Sequence, residues 1–352
     1  MRILVAQTSF LGDVILSTPV FAAVKRHQPD CHVTAWVRPE AAAVLDGHPH
    51  VDAVLVDDKR GADAGIRGLL RLRARLREGH FDVALALHKS LRTGLLLALA
   101  RVPRRIGFRQ SAGWFLYHEL VRRDRSLHDV ERNLSIVSAL GIDPAADPAR
   151  LLVVPTAAAV ARFDALLRER GATADRRLVG VAPGSVWATK RWTVEGFAEV
   201  AAALQRDGHR VLLLGAPSER SIAAEVERRC GGVAINLCGL TDVGMLVAAV
   251  DRCSLLVCND SAPMHIAVAR RVPVVALFGP THPRQGYGPY SDQATIVQRD
   301  LDCRPCGRHG AQRCPIGTHE CMRAIAASEV LAAARRFLEP RPRATPAQSV
   351  AS

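Results

Sequence analysis

The sequence has no uninterrupted apolar run of about 18 residues, so no segment reads as a membrane-spanning helix. Aromatic residues are scarce, at 5%. The basic stretches hold few rings on which bases could stack, which argues against nucleic acid as the partner. The first residues, Met1-Arg2-Ile3, run straight into a strand-like segment and lack the basic, apolar and small-residue regions of a secretory leader. A cytoplasmic protein is the expectation. The phosphate-binding spacing G-x-x-x-x-G-K-[ST] is absent too. Acidic residues are in deficit: 34 Asp and Glu face 47 Lys and Arg, a formal net charge of +13.

What is present is enough apolar material for real cores, 49% of 352 residues, and a length that suits two domains. The positive charge is concentrated. Residues 59–125 carry 16 Lys and Arg against 5 Asp and Glu. A basic face of this size attracts a polyanion or an anionic membrane surface. The alternative is a solvated face in an arginine-rich chain.

Strand and helix signals alternate along residues 1–110. Ile3–Ala6 reads as a buried strand, followed by a helix over Val14–Val24. Next come strands at His32–Val37, Ala53–Val56, Asp82–Leu87 and Arg104–Phe108, with helices at Pro39–Asp46, Gly65–Arg77 and Leu91–Ala100 between them. A further helix spans Ser126–Gly141. Residues 143–155 break the pattern and read as a linker. The alternation restarts with a helix over Thr156–Arg170 and strands at Leu178–Ala182, Arg210–Leu214, Leu255–Cys258 and Pro273–Phe278. Helices at Thr193–Arg206, Ser218–Arg229, Asp242–Val250 and Ser261–Ala269 separate them. Such alternation predicts an α/β chain with two doubly wound parallel-sheet domains and a cleft between them. The boundaries fall at 1–155 and 156–326, with a C-terminal helix at 327–339 and a Pro-, Ala- and Ser-rich tail at 340–352 that reads as disordered.

Candidate chemistry gathers at the expected strand ends, where open α/β sheets bind ligands. After the first strand, Gly12 permits close approach and Asp13 offers a carboxylate, either as a helix cap or as a catalytic base. After the strand at 178–182, Pro183-Gly184-Ser185 leads to Thr189, Lys190 and Arg191. This glycine loop brings hydroxyls and cations that suit a phosphate. Glu219 follows the next strand, where an acidic group can accept from ribose hydroxyls or favour a helix start. Asn259-Asp260-Ser261-Ala262 sits where another strand yields to a helix, with His265 one turn in. Together these segments describe a site for a nucleotide diphosphate.

Leu11-Gly12-Asp13, Pro183-Gly184 with Lys190-Arg191-Trp192, and Asn259-Asp260-Ser261 with Met264-His265, in this order, resemble the ADP-heptose:lipopolysaccharide heptosyltransferases (glycosyltransferase family 9), in their heptosyltransferase II-like branch. The resemblance runs from Ile3 to about Leu338. It implies a GT-B fold of two Rossmann-like domains, the acceptor on the first and the donor nucleotide on the second. It implies inverting transfer of L-glycero-D-manno-heptose from ADP-heptose to the lipopolysaccharide inner core, at the inner face of the cytoplasmic membrane. Carried over, Asp13 is the general base and Lys190 binds the diphosphate. Glu219 holds the ribose and Leu240 lies against adenine. Gly12, Ser185, Thr189, Asp260, Ser261, Ala262 and His265 complete the donor site. Neither a cofactor nor a catalytic metal is implied. One departure is Ala262, where many members have glycine. Two alternatives stay open: a related glycosyltransferase with another donor or acceptor, and a non-catalytic polyanion-binding relative.

Cys303, Cys306, Cys314 and Cys321 form C-x2-C-x7-C-x6-C. Four thiolates so spaced suit a structural zinc, with His309 and His319 nearby as substitute ligands. The alternative is a set of free or redox-active thiols.

Overall fold

The computed structural model describes residues 1–146, 148–172 and 178–339. The tail expected at 340–352 lies outside the described residues, as does Asp147 of the linker. The first sheet comprises β1 (Arg2–Ala6), β2 (His32–Val37), β3 (Ala53–Val56), β4 (Val83–Ala86), β5 (Arg104–Phe108) and β6 (Glu119–Val121). The second comprises β7 (Leu178–Ala182), β8 (Arg210–Leu213), β9 (Ile235–Asn236), β10 (Cys253–Asn259), β11 (Val274–Phe278) and β12 (Ala294–Gln298). Every pairing in both sheets is parallel. The spatial orders are β3-β2-β1-β4-β5-β6 and β9-β8-β7-β10-β11-β12. Each domain therefore has the same 3-2-1-4-5-6 winding. The strand order reverses beside β1 and β4 in one domain and beside β7 and β10 in the other. A doubly wound sheet opens its ligand crevice at that reversal.

The central strands are near-continuous apolar runs because helices cover both faces of a parallel sheet. β4, β7 and β11 are buried throughout. In the first half the helices are α1 (Leu11–Leu16), α2 (Thr18–His27), α3 (Pro39–Ala42), α4 (Gly65–Glu78), α5 (Leu91–Leu99) and α6 (Asp129–Leu134). The second half has α7 (Ala157–Glu169), α8 (Val194–Arg206), α9 (Arg220–Arg229), α10 (Val243–Asp251), α11 (Ala262–Ala269), α12 (Glu320–Arg323) and α13 (Ala327–Leu338). α1 packs on α11 across the domains. Val14, Ile15 and Leu16 share one buried cluster with Met264 and Ile266.

Several local expectations change. The single helix expected over Val14–Val24 is two helices, because Pro19 has no N–H to give to the carbonyl four residues back. Instead the Thr18 hydroxyl donates to the Ile15 carbonyl (2.8 Å) and the Ser17 hydroxyl to that of Val14 (2.7 Å). The helix also begins earlier, so Gly12 and Asp13 lie inside its first turn. The helix expected over Ser126–Gly141 is α6 continued as a 3-10 turn at Ser135–Leu140. β6 and β9, three and two residues long, are too short to stand out as strands, and β12 (Ala-Thr-Ile-Val-Gln) was not expected either. They form because each adds to a sheet edge already in place.

Candidate active site

The crevices of the two sheets face one another, and a cavity between them is lined from both. The first domain contributes Phe10, Leu11, Gly12, Asp13 and Leu16. From the second come Ser185, Val186, Trp187, Lys190, Asp260, Ser261, Ala262 and His265, then Thr281, His282, Gln285, Tyr287, Arg308 and His309. Eight of the eleven residues singled out in the sequence therefore share one cavity.

Asp13 sits at the third position of α1, where Oδ2 accepts from the Phe10 amide (3.1 Å). It thus satisfies the helix start, as a capping box does, and still borders the cavity. Burial pushes its carboxyl up to about 6, and the negative charge of Asp129 adds to this. The Phe10 amide and the cations Arg123 and Lys89 pull the other way. A carboxylate poised near 6 is ionised at neutral pH and basic enough to take a proton.

Across the cavity, Lys190 Nζ donates to Asp260 Oδ2 at 2.6 Å, and the Thr281 hydroxyl donates to the same oxygen at 2.7 Å. The buried Asn259 fastens the loop that presents Lys190. Its amide donates to the carbonyls of Pro183 (2.9 Å) and Gly184 (3.2 Å), and its oxygen accepts from the Trp192 amide (3.0 Å). Ala262 opens α11 with Pro263 behind it, and it is not among the residues with positive φ. Alanine therefore fits where glycine was the family expectation.

Two glycines serve side chains. A Cβ on Gly12 would lie 3.0 Å from Cδ2 of His265. On Gly184 it would lie 2.0 Å from the carboxyl carbon of Glu219. His265 is buried, burial pushes its imidazole down to about 4, and its Nδ1 finds no protein partner. Glu219 Oε2 accepts from the Ala216 amide (2.8 Å).

Glu219, Thr189 and Leu240 do not line the cavity. Thr189 anchors the cysteine-bearing loop: its hydroxyl donates to the Ala311 carbonyl and accepts from the Ala311 amide, both at 2.8 Å. The Thr189 carbonyl also accepts from His319 Nε2 (2.7 Å). Leu240 is exposed beyond β9. The anchored loop is what carries Arg308 and His309 to the cavity. Sequence reasoning missed Arg308, and it weighed His309 only as a substitute zinc ligand beside the cysteines, not as a cavity residue.

Those four cysteines are free thiols. Among the described residues, no three His, Cys, Asp or Glu side chains are grouped so as to hold a metal ion. Cys321 is buried in the second core while Cys303 is exposed. Burial pushes the Cys321 thiol up, and Cys306, Cys314 and Cys303 are near enough for their charges to push it the same way. The four therefore lie in one neighbourhood without forming a closed ligand set.

A second, basic cavity adjoins the first through Gln285, Tyr287 and Arg308, and adds Lys89, Gln110, Arg123, Arg125 and Arg132. Asp129 ion-pairs with Arg123 and, at 3.5 Å, with Arg132. Of the basic stretch 59–125, only Lys89, Arg123 and Arg125 reach this cavity. The arginines of α4 do not.

The family model described as glycosyltransferase family 9 (heptosyltransferase) matches residues 69–314. The chain belongs to glycosyltransferase family 9. The matched range contains Lys190, Glu219 and Asp260, while Asp13 lies upstream of it. Among relatives, the lipooligosaccharide heptosyltransferase 2 of Haemophilus influenzae is 27% identical over 314 residues, covering 85% of this chain and 88% of that protein. The family 9 glycosyl transferase structure from Veillonella parvula has a TM-score of 0.86 at 27% identity, over 96% of this chain and 97% of that one. The structure of ADP-heptose lipopolysaccharide heptosyltransferase II from Escherichia coli has a TM-score of 0.79 at 23% identity, over 96% of this chain and 98% of that one. This family 9 enzyme thus has the two-domain GT-B fold.

Proposed function

We propose that this family 9 glycosyltransferase moves L-glycero-D-manno-heptose from ADP-heptose to an inner-core sugar of lipopolysaccharide, with inversion at the anomeric carbon. One observation carries the reading. A carboxylate with a raised pKa on the first domain and a lysine-bearing loop on the second border the same cavity.

In this scheme Asp13 takes the proton from an acceptor hydroxyl. That oxygen bonds to the anomeric carbon as the bond from this carbon to the β-phosphate oxygen breaks. ADP leaves with the electron pair. A positioned base contributes roughly 10²–10⁴-fold. Lys190, with Ser185 and the amides at the start of α11, meets the charge growing on the diphosphate. Asp260 and Thr281 hold the lysine in place. His265, neutral and with an unpartnered Nδ1, hydrogen-bonds the donor. Glu219 keeps Oε1 for the ribose, Leu240 covers the adenine, and Thr189 acts by holding the Arg308 loop. The basic cavity suits an acceptor bearing carboxylates and phosphates. Such an acceptor is anchored in a bilayer, so the reaction belongs at the inner membrane face.

The test is calorimetric titration of ADP, UDP and GDP into the purified chain. The reading expects selective ADP binding that falls at least ~10-fold in Lys190→Ala, the loss of one charge-assisted contact of about 1.5–3 kcal/mol. No nucleotide binding in folded protein would overturn it.

A further inference from the structure

The outer surface of the first domain breaks the usual rule for solvent-facing helices. α5 is apolar almost all round. Leu96 and Leu97 are buried, but Leu91, Leu95 and Leu99, one turn apart, stand exposed. A helix apolar on every side is normally covered on every side. Beside it, α4 buries Gly68, Leu72 and Leu76 and turns Ile66 (77% exposed) and Leu70 outward. Arg73 of α4 donates to the Leu99 carbonyl at 3.0 Å, which joins the two helices into one surface. At the other end of α5, a Cβ on Gly113 would touch Leu91 at 3.4 Å. Next to Gly113 project Trp114 (55% exposed) and Phe115 (62% exposed), their rings edge-on at 6.0 Å.

The rim of this patch is cationic. α4 carries five arginines and one glutamate, and Arg67, Arg71 and Arg77 are exposed. Among the described residues no helix is long and apolar enough to cross a membrane. Apolar side chains, an exposed tryptophan and a row of arginines along α4 match an anionic bilayer surface: the aromatics suit the headgroup level and the cations suit the charge. The patch also begins at the cavity. Lys89, which lines the basic cavity, precedes the Ser90 cap of α5, and its carbonyl accepts from the Ala112 amide (3.1 Å).

We propose that the α4–α5 face, with Trp114 and Phe115, inserts shallowly into an anionic lipid leaflet and so sets the basic cavity at the membrane surface. This rests on the reading above only for its purpose, delivery of a bilayer-anchored acceptor. The contact itself is independent of catalysis.

The test is co-sedimentation of the full chain with vesicles of equal phosphatidylethanolamine and phosphatidylglycerol, against pure phosphatidylcholine. We expect binding to the anionic vesicles with a blue shift of tryptophan emission that Trp114→Phe removes. Leu95→Glu and Phe115→Glu, and separately Leu70→Glu, are each expected to weaken binding at least ~10-fold, since each replaces a large apolar group on the inserted face with a charge. ADP binding and thermal midpoint stay as in the parent. Val233→Glu, an exposed apolar site on the second domain, controls for added charge. Absence of vesicle binding overturns the proposal. So does binding that salt abolishes but the glutamates leave intact, which is attachment by charge alone. A stable dimer that these glutamates dissociate makes the face a self-interface and also overturns it. Vesicle binding without ADP binding keeps this surface and removes the catalytic reading; the reverse result does the opposite.

Discussion

His265 of the second domain lies across Gly12 of the first, so close that a Cβ there would sit 3.0 Å from the ring. The glycine admits this ring, and the contact sets how α1 meets α11 beside Asp13. We expect Gly12→Ala to push the buried imidazole off its seat. Overpacking of this kind costs about 1–3 kcal/mol. The thermal midpoint should drop modestly and transfer should fall at least ~10-fold, more than stability explains, because small misplacements at a reacting centre are costly. Unchanged turnover would show that the close contact has no bearing on Asp13.

The raised pKa of Asp13 gives a pH signature. Below about 6 the carboxyl holds its proton and cannot accept another. The kcat/KM profile should therefore lose activity toward acid with a midpoint near 6, falling about tenfold per unit below it. The same group opposes folding when ionised. Its stabilising neutral form is fully present below the ordinary value of 3.8 and is lost as pH rises through about 6. Asp13→Asn should then match or exceed the parent in thermal midpoint at pH ~8, lose that advantage below pH ~4, and be inactive throughout. Denaturation scans at the two pH values check the first part. A less stable Asp13→Asn at the higher pH would refute the burial argument.

How far the sequence could be read follows from which forces are local. β1, β7 and β10 are legible as apolar runs, and the loops after them contain glycine, serine and acidic residues in short order. That is enough to find Asp13, Lys190 and Asp260 and to infer that they face one cleft. The break at Ser17 was not read, although Pro19 marks it, because the apolar pattern runs on through Val24. The reasons for Gly12 and Gly184 were not legible. Each reads as room for a ligand, yet each makes room for a side chain from a distant segment. Arg132 holding the Gln285 carbonyl (2.9 Å) and Arg308 reaching the cavity are likewise products of tertiary closure. The basic stretch divides for the same reason. Helix periodicity in α4 turns its arginines outward, and only strand-end residues such as Lys89 and Arg123 enter the cleft.

Gly184 and Glu219 should behave as one unit. The carboxyl of Glu219 fills the space a Cβ at Gly184 would need, and it also touches the region over Gly215. Gly184→Ala is expected to expel that carboxyl and release the Ala216 amide. Because a glutamate tip can swing away, folding should survive. If Glu219 binds the ribose, then Gly184→Ala and Glu219→Ala each weaken ADP, and the double variant is no worse than the weaker single. Residues in contact show such non-additivity, typically about 0.5–3 kcal/mol. Additive losses in calorimetric titration would mean that the two residues act separately.

Thr189 offers the sharpest separation of support from contact. Its hydroxyl makes two hydrogen bonds to Ala311, in the loop that carries Arg308 and His309 to the cavity. Valine keeps the shape and removes both. Each bond contributes about 0.5–1.5 kcal/mol, so Thr189→Val should lower stability by about 1–3 kcal/mol. The loop should also open locally before the rest of the domain does. Hydrogen exchange at residues 307–312 should quicken while β7 and β10 stay protected. Because Arg308 borders both cavities, KM for acceptor should rise more than KM for donor. If Thr189 instead touched the diphosphate directly, exchange in the loop would stay unchanged and the loss would fall on the donor.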